Sequence, residues 1–533
     1  MLKKTTLLLL SLIPLFVCSE EHILIVADPH VLAESLIEPG SAFDEMMDNQ
    51  RKMIDLSESA FVALVDTAML YQPSLVLIPG DLTKDSEMAS HDVVLEQLNR
   101  MKAAGINVLV IPGNHDIGGQ AYAYQGDEKV SVENLTDDNW ESKYSIVYDQ
   151  VVAKDINSHS YVAEPLRGVT ILGIDASHNA GEGYLSEATL SWLLLQADSA
   201  SLKGNIIIAM CHWHVLNHVD EEGVMMESGR LTNADAVRDS LMAHDVHLLL
   251  TGHMHVNSIS TYRDTIQLSG DSIVEISTGA PITYPCPYRW LTISDDRSTV
   301  NLQTENINAL PHHNHKDMYA HSRAWMTEHL SVLLPSISIR IFDKAESAIE
   351  SYVKKNMPMV SGMIINMLKQ SLPQTDEEKV ALVEKYLGST IIALYLLHSD
   401  ANEPTHPETD SLAQAMYDGV SAMIHDKTDA IFAQYPSWQQ PIINAVLASM
   451  EVPIQSMVED CTDWVSKLHS DCTDDLQLTL VINEAQPPQS GTCVESIGEE
   501  TDITIYDLLG RRVSEGQKVP HGIYIQNGKK IIP

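Results

Sequence analysis

Between residues 21 and 303, short apolar runs alternate with amphipathic stretches. The runs are HILIVA, SLVLIPG, INVLVIPG, VTILGID, NIIIAM, VHLLLTG and SIVEIST, all rich in Leu and β-branched residues. Runs of this kind are expected of strands buried on both faces. Helical periodicity fills the gaps over residues 55–71, 87–103, 187–200 and 234–243. The pattern predicts an α/β domain whose helices cover sheets.

From about residue 318 to 469 the strand signals vanish. Long helical runs take over, such as EEKVALVEKYLGSTIIALYLLH and NAVLASMEVPIQSMVEDCTDWVSKL, punctuated by prolines at 335, 358, 373, 404, 436 and 453. After LQLTLVINE comes AQPPQSG, a linker by composition. Alternation in DITIYD and GIYIQ, with glycines at turns, predicts short antiparallel strands in the tail. The expected boundaries are 20–305 for the α/β domain, 306–474 for the helical region, 475–490 for a strand and linker, and 491–533 for a β-rich C-terminal domain.

The first 19 residues stand apart. Lys3 and Lys4 precede the apolar run LLLLSLIPLFV, the layout of a secretory signal peptide. Cys18 leaves a lipoprotein anchor as the alternative. The run is shorter than the roughly 20 apolar residues of a membrane span, and no transmembrane segment is expected in the mature chain. The formal charge of −40 on 533 residues argues against a nucleic-acid polymer or an anionic membrane as partner. Six cysteines in so long a chain do not make a disulfide scaffold; Cys461 and Cys472 are close enough in sequence to pair.

Five of the apolar runs end in residue types that hold metals. IVADPH supplies Asp28 and His30, and LIPGDLTKD supplies Asp81. VIPGNHD supplies Asn114, His115 and Asp116, AMCHWH supplies His212 and His214, and LLTGHMH supplies His253 and His255. In open α/β sheets, ligands bind outside the carboxyl ends of strands, where every one of these groups falls. Carboxylate, imidazole and amide oxygen suit borderline divalent ions such as Mn, Fe or Zn. Cys211 reads as a buried bystander. Residues two apart share a face of an extended segment, so spacing alone leaves His212 and His214 equivalent.

The order D-x-H, G-D, G-N-H-D, H, G-H-x-H resembles the calcineurin-like metallophosphoesterase superfamily, over roughly residues 21–294. The resemblance implies a four-layer α/β/β/α sandwich and two divalent metal ions. It implies Asp28, His30, Asp81 and His255 as ligands of one ion, and Asp81, Asn114, His212 and His253 as ligands of the other, with Asp81 bridging. His212 then takes the imidazole position after its strand. His214 and His218 become substrate-side or supporting residues. The implied reaction is hydrolysis of a small phosphate mono- or diester by a metal-bridging hydroxide, with His115 as proton donor and Asp116 orienting it. Lys84 stands where purple acid phosphatases carry Tyr, so no tyrosinate–iron charge transfer is expected. Pyrophosphate cleavage in nucleotides or lipid head groups is the alternative within hydrolases, and an inactive metal-binding scaffold the alternative outside them.

Other stretches bear on access to such a site. Tyr122, Tyr124 and Trp140, in the insertion after His115, are candidates to stack on a base. STGAPITYPCPYRW reads as a rigid closing loop, and His312, His313 and His315 as a solvated linker. The tail motifs IYDLLGRRV and GIYIQNGKK resemble the type A C-terminal sorting domain of Bacteroidetes type IX secretion. That resemblance implies export to the cell surface or medium, with the type IX secretion machinery as partner and the periplasm as the alternative location.

Overall fold

The computed structural model describes residues 20–177, 183–218, 229–263, 272–310, 313, 315–356, 373–401, 407–434 and 475–481. It also describes isolated positions from 358 to 366 and four short strands in the tail. The signal segment 1–19, His312, the run 444–468 with Cys461, and Cys472 lie outside the described residues.

Five strands carry the residues singled out above: β1 (Glu21–Ile25), β2 (Leu75–Ile78), β3 (Asn107–Val110), β4 (Ile206–Cys211) and β5 (Leu248–Thr251). In the first sheet β1, β2 and β3 run parallel, and Pro287–Ile293 and Thr299–Asn306 extend it antiparallel beyond β1. In the second, Val169–Ile174, β4, β5 and Ser272–Ser277 run parallel, with antiparallel strands at both edges.

Alternation along each strand builds the layers. Ile23, Ile25, Leu75, Leu77 and Leu109 meet Ile208, Met210, Leu250 and Ile276 between the two sheets. The opposite parity, Leu24, Val76, Ile78 and Val108, packs on Phe61, Leu64 and Leu98 from helices Ser57–Tyr71 and Met88–Ala103. On the far side Ile207, Ala209 and Leu249 pack on Leu193, Val237 and Leu241 from helices Glu187–Leu202 and Ala234–Ala243. The result is the expected four-layer α/β/β/α sandwich, and β1 to β5 all end at one rim.

The strand Gln477–Val481 belongs to the sandwich. It pairs antiparallel with Thr299–Asn306 as an edge of the first sheet. Just before it, Asp475 Oδ1 accepts from the Ile259 N–H at 2.6 Å, and its carbonyl accepts from Arg289 at 3.0 Å. The helical region is therefore an excursion between two adjacent strands of the sandwich. Its helices include Met318–His329, Leu334–Asn356, Asp376–Asp400 and Thr409–Gln434.

Asp376–Asp400 is long and apolar enough by length and composition to cross a membrane. Leu382, Val383, Leu387, Ile391 and Leu394 instead bury against Leu334, Ile337, Phe342, Met416 and Val420 of its neighbours, as in the core helix of a bundle. The bundle docks on the sandwich at Tyr284, which packs with Met326, Leu330, Tyr395 and Leu396. The Tyr284 hydroxyl donates to Tyr319 at 2.7 Å, and Tyr319 donates to Asp400 at 3.0 Å. In the tail, Ile505–Asp507, Arg512–Val513, Tyr524–Gln526 and Lys529–Ile531 form one antiparallel sheet.

Candidate metal centre

Each motif leaves its strand through a tight turn, and the turns bend their ligand residues into the left-handed region. Asp28 (φ 51°), His30 (43°), Asp81 (50°), His253 (67°) and His255 (60°) all have positive φ. Such a conformation costs on the order of 1–3 kcal/mol per non-glycine residue and persists where the surroundings enforce it. Two motif glycines allow the close approach. A Cβ on Gly113 would stand 2.2 Å from Asp81 Oδ1, and one on Gly252 2.3 Å from Asp28 Oδ2.

The side chains converge as two groups that share Asp81. Asp28, His30, Asp81 and His255 form one, and Asp81, His212 and His253 the other. In the first, His30 Nε2 lies 3.0 Å from His255 Nε2 and 3.4 Å from Asp81 Oδ2, and His255 Nε2 lies 3.6 Å from Asp28 Oδ1. In the second, Asn114 Oδ1 stands 2.9 Å from His212 Nε2 and 3.0 Å from His253 Nδ1, and His212 Nε2 is 3.4 Å from Asp81 Oδ2. Donors held by one zinc-sized ion at roughly 2.0–2.2 Å in a tetrahedron lie about 3.3–3.6 Å apart. The observed spacings are of that order.

Supporting bonds point the donors inward. His212 Nδ1 donates to the Pro79 carbonyl at 3.0 Å, which leaves Nε2 for the cluster. The His253 N–H donates to both oxygens of Asp28, and the His115 N–H donates to Asp81 Oδ1 at 2.9 Å. Burial would raise the Asp81 carboxyl, but His212, His115 and His30 hold it well below the usual range. Burial would lower His212, but Asp81 and Asp28 lift it to about 9. Burial pushes the His30 and His253 imidazoles well down. An ionised Asp81 beside the neutral imidazoles of His30 and His253 is a donor set that fits divalent cations, and His212 would give up its Nε2 proton to such an ion. All seven expected ligands are therefore brought together.

Two expectations need correction. Asp116 does not orient His115. It is fully buried, and its carboxylate accepts from the N–H groups of Leu82 (3.1 Å), Thr83 (2.9 Å) and Gly113 (2.8 Å) and from the Thr83 hydroxyl (3.0 Å). It braces the two turns that carry Asp81 and Asn114. The partner of His115 Nδ1 is Asp85 Oδ1 at 2.9 Å, and Asp85 also pairs with Lys84. Burial would raise the Asp85 carboxyl, but the bonds from His115 and Lys84 hold it at about 2.

Of the two places expected for His214 and His218, the geometry favours the supporting one. Both are buried behind the centre around Glu275, and His214 Nε2 donates to the Gly252 carbonyl at 2.7 Å. Tyr124 and Trp140 are fully buried in the core under the first sheet, so neither can stack on a base; Tyr122 is half-buried beside them.

Cys211 is a buried free thiol pushed up to about 12, in keeping with a bystander. His313 caps no open site: its Nε2 lies 2.6 Å from the Ser59 hydroxyl.

Sequence reasoning missed Lys52, Asp85 and Glu275. Lys52 Nζ stands 3.2 Å from His30 Nε2, and burial lowers its ammonium to about 8. No motif marks Lys52. Glu275 had a signal, a carboxylate in the middle of the apolar run SIVEIST, since a buried charge requires a partner.

No curated protein matches the sequence. Among solved structures, a dimetal phosphatase from Danio rerio aligns at 16% identity over 54% of this chain and 96% of its own, with a TM-score of 0.40. A purple acid phosphatase from yellow lupin (Lupinus luteus) seeds aligns at 13% identity over 56% and 53%, with a TM-score of 0.37. A phosphopantetheinyl hydrolase from Mycobacterium tuberculosis aligns at 11% identity over 50% and 92%, with a TM-score of 0.24. The family described as calcineurin-like phosphoesterase matches residues 21–257, the stretch that contributes every ligand in both donor groups. Residues 21–257 thus match a calcineurin-like phosphoesterase domain, and that match, with the two donor groups, supports metal-dependent hydrolysis of phosphoesters.

Proposed function

We propose that the protein is an exported dinuclear-metal phosphoesterase acting on a small phosphate mono- or diester. The observation that carries this reading is the pair of donor groups sharing Asp81 at the rim of the sandwich. Asp28, His30, Asp81, Asn114, His212, His253 and His255 would hold two divalent ions there, which would supply Lewis acidity and an activated water.

The chain's own residues do the rest. His115 is one-third exposed on its side chain, and its ring packs edge-on to His30 at 4.9 Å between centroids. With Nδ1–H held by Asp85, Nε2 is the atom that delivers a proton to the leaving oxygen. Asp85 stabilises the imidazolium that precedes the transfer. The Lys52 ammonium adds positive charge beside His30 and the first donor group, where a phosphoryl oxygen would be favoured. Asp116, through Gly113, Leu82 and Thr83, keeps Asp81 and Asn114 in register.

Export is supported by Lys3 and Lys4 before LLLLSLIPLFV and by the tail motifs IYDLLGRRV and GIYIQNGKK, which favour passage through a type IX route. A substrate panel on the metal-loaded protein tests the activity: p-nitrophenyl phosphate, bis-p-nitrophenyl phosphate and a nucleotide pyrophosphate. Turnover of either ester supports the proposal. Turnover of the pyrophosphate alone moves the reading to a pyrophosphohydrolase, and none at all, with both donor groups filled, to a scaffold.

A further inference from the structure

A third group of ligand-type side chains lies behind the centre: His214, His218 and Glu275, all buried. Its hydrogen bonding is arranged around one point. His214 Nε2 lies 2.7 Å from the Gly252 carbonyl, which only accepts, so Nε2 carries the proton and Nδ1 faces the group. Around Nδ1 stand Glu275 Oε1, His218 Nε2 at 2.7 Å and the Thr251 hydroxyl at 3.1 Å. Glu275 Oε2 is held by the N–H groups of Val215 (3.0 Å) and Leu216 (2.8 Å), which turns Oε1 toward the two histidines. His218 Nε2 and Glu275 Oε1 are 3.9 Å apart, on different sides of Nδ1.

Proteins prepare metal ligands in this way. The far nitrogen of the imidazole donates to a carbonyl, and the far oxygen of the carboxylate accepts from the backbone. A proton on Nδ1 is shared between Glu275 and the His218 side, and a proton on His218 Nε2 instead leaves Nδ1 and Glu275 Oε1 lone pair to lone pair. A cation is served by all three donors at once. Two imidazoles and one carboxylate are also a donor set that zinc takes, with the Thr251 hydroxyl as the nearest fourth oxygen.

We infer that His214, His218 and Glu275 form a third divalent-cation site, of zinc-like preference and structural role, separate from the two groups that share Asp81. The ion ties the turn after β4 to the strand Ser272–Ser277. Through the Gly252 carbonyl it also steadies the turn that carries His253 and His255.

Anomalous diffraction at the zinc edge tests this on crystals of the full chain, loaded with zinc and dialysed against metal-free buffer. The expected result is a peak within bonding distance of His214 Nδ1, His218 Nε2 and Glu275 Oε1, in addition to those beside Asp81. In solution, Glu275→Gln and His218→Gln each lose one zinc equivalent relative to the parent. If either variant fails to fold, the parent crystal decides alone. Absence of that peak, with His214 and Glu275 in direct proton-bridged contact, overturns the inference whatever the Asp81 groups hold. Absence of peaks beside Asp81 overturns the proposed function instead.

Discussion

Replacing Asp85 by Asn separates the two aspartates that flank the proton donor. The His115–Asp85 bond is charge-assisted, a class worth about 1.5–3 kcal/mol. Both side chains are about one-third exposed, 33% and 30%, so solvent screening argues for the lower end. A loss of about 1.5–2 kcal/mol from the transition state corresponds to a fall of roughly 10- to 30-fold in kcat/KM. Because the lost function is proton delivery, the fall is larger for phenyl phosphate than for p-nitrophenyl phosphate, whose leaving group needs little protonation. The Tm stays within a degree or two of the parent, since neither group is core.

Asp116→Asn behaves in the opposite way. In either orientation the new amide sets its NH2 against two of the four donors that now meet the carboxylate. A buried donor left without an acceptor costs about 1–3 kcal/mol, so the variant loses several degrees of Tm. Its dependence on the leaving group is unchanged. Steady-state kinetics with the two esters, beside thermal melts of metal-loaded protein, read both effects. An Asp85→Asn enzyme with unaltered leaving-group dependence, beside an Asp116→Asn enzyme that gains a steeper one at parental Tm, would refute the assignment of Asp85 as the partner of His115.

Other perturbations reach different parts of the account. His212→Ala removes a donor shared with Asn114 and Asp81 and lowers activity by more than about 100-fold, beyond the 10- to 100-fold typical of supporting residues; His214→Ala keeps metal beside Asp81, as metal analysis of the two variants shows. Gly252→Ala drives a Cβ to 2.3 Å from Asp28 Oδ2 and weakens metal binding, measurable by competition with a chelator. Glu275→Gln destabilises by about 1–3 kcal/mol, because its amide NH2 would face either the N–H groups of Val215 and Leu216 or the His214 side.

Burial would raise the Glu275 carboxyl, but His214 and His218 hold it well below its ordinary value. Its contribution is therefore complete above the unfolded carboxylate pKa of about 4.3. So far as the Glu275 carboxyl sets it, the Tm gap between parent and Glu275→Gln narrows only as the pH falls below that value.

The sandwich and the ligand set were legible for a local reason. Each ligand immediately follows a short apolar strand, so β1 to β5 announce both the sheet and the place where its side chains gather. What was not legible depends on where a side chain turns after the backbone is placed. Asp116 adjoins His115 in sequence, but its carboxylate turns back to cap Leu82 and Thr83, whereas Asp85, 30 positions earlier, swings across to His115. His214 shares a strand face with His212 by spacing, yet Glu275 draws it behind the turn. The pairing of Gln477–Val481 with Thr299–Asn306 spans the whole helical region, and no local pattern encodes it.

Titration of metal into the chelated protein, with phosphoester hydrolysis followed on the same samples, tests the central claim most directly. The account expects no hydrolysis without metal and activity that rises as the groups sharing Asp81 fill. Asp81→Asn should bind less metal and stay inactive at every ratio. Hydrolysis by the metal-free chain, or full activity in Asp81→Asn, would contradict a centre built around that carboxylate.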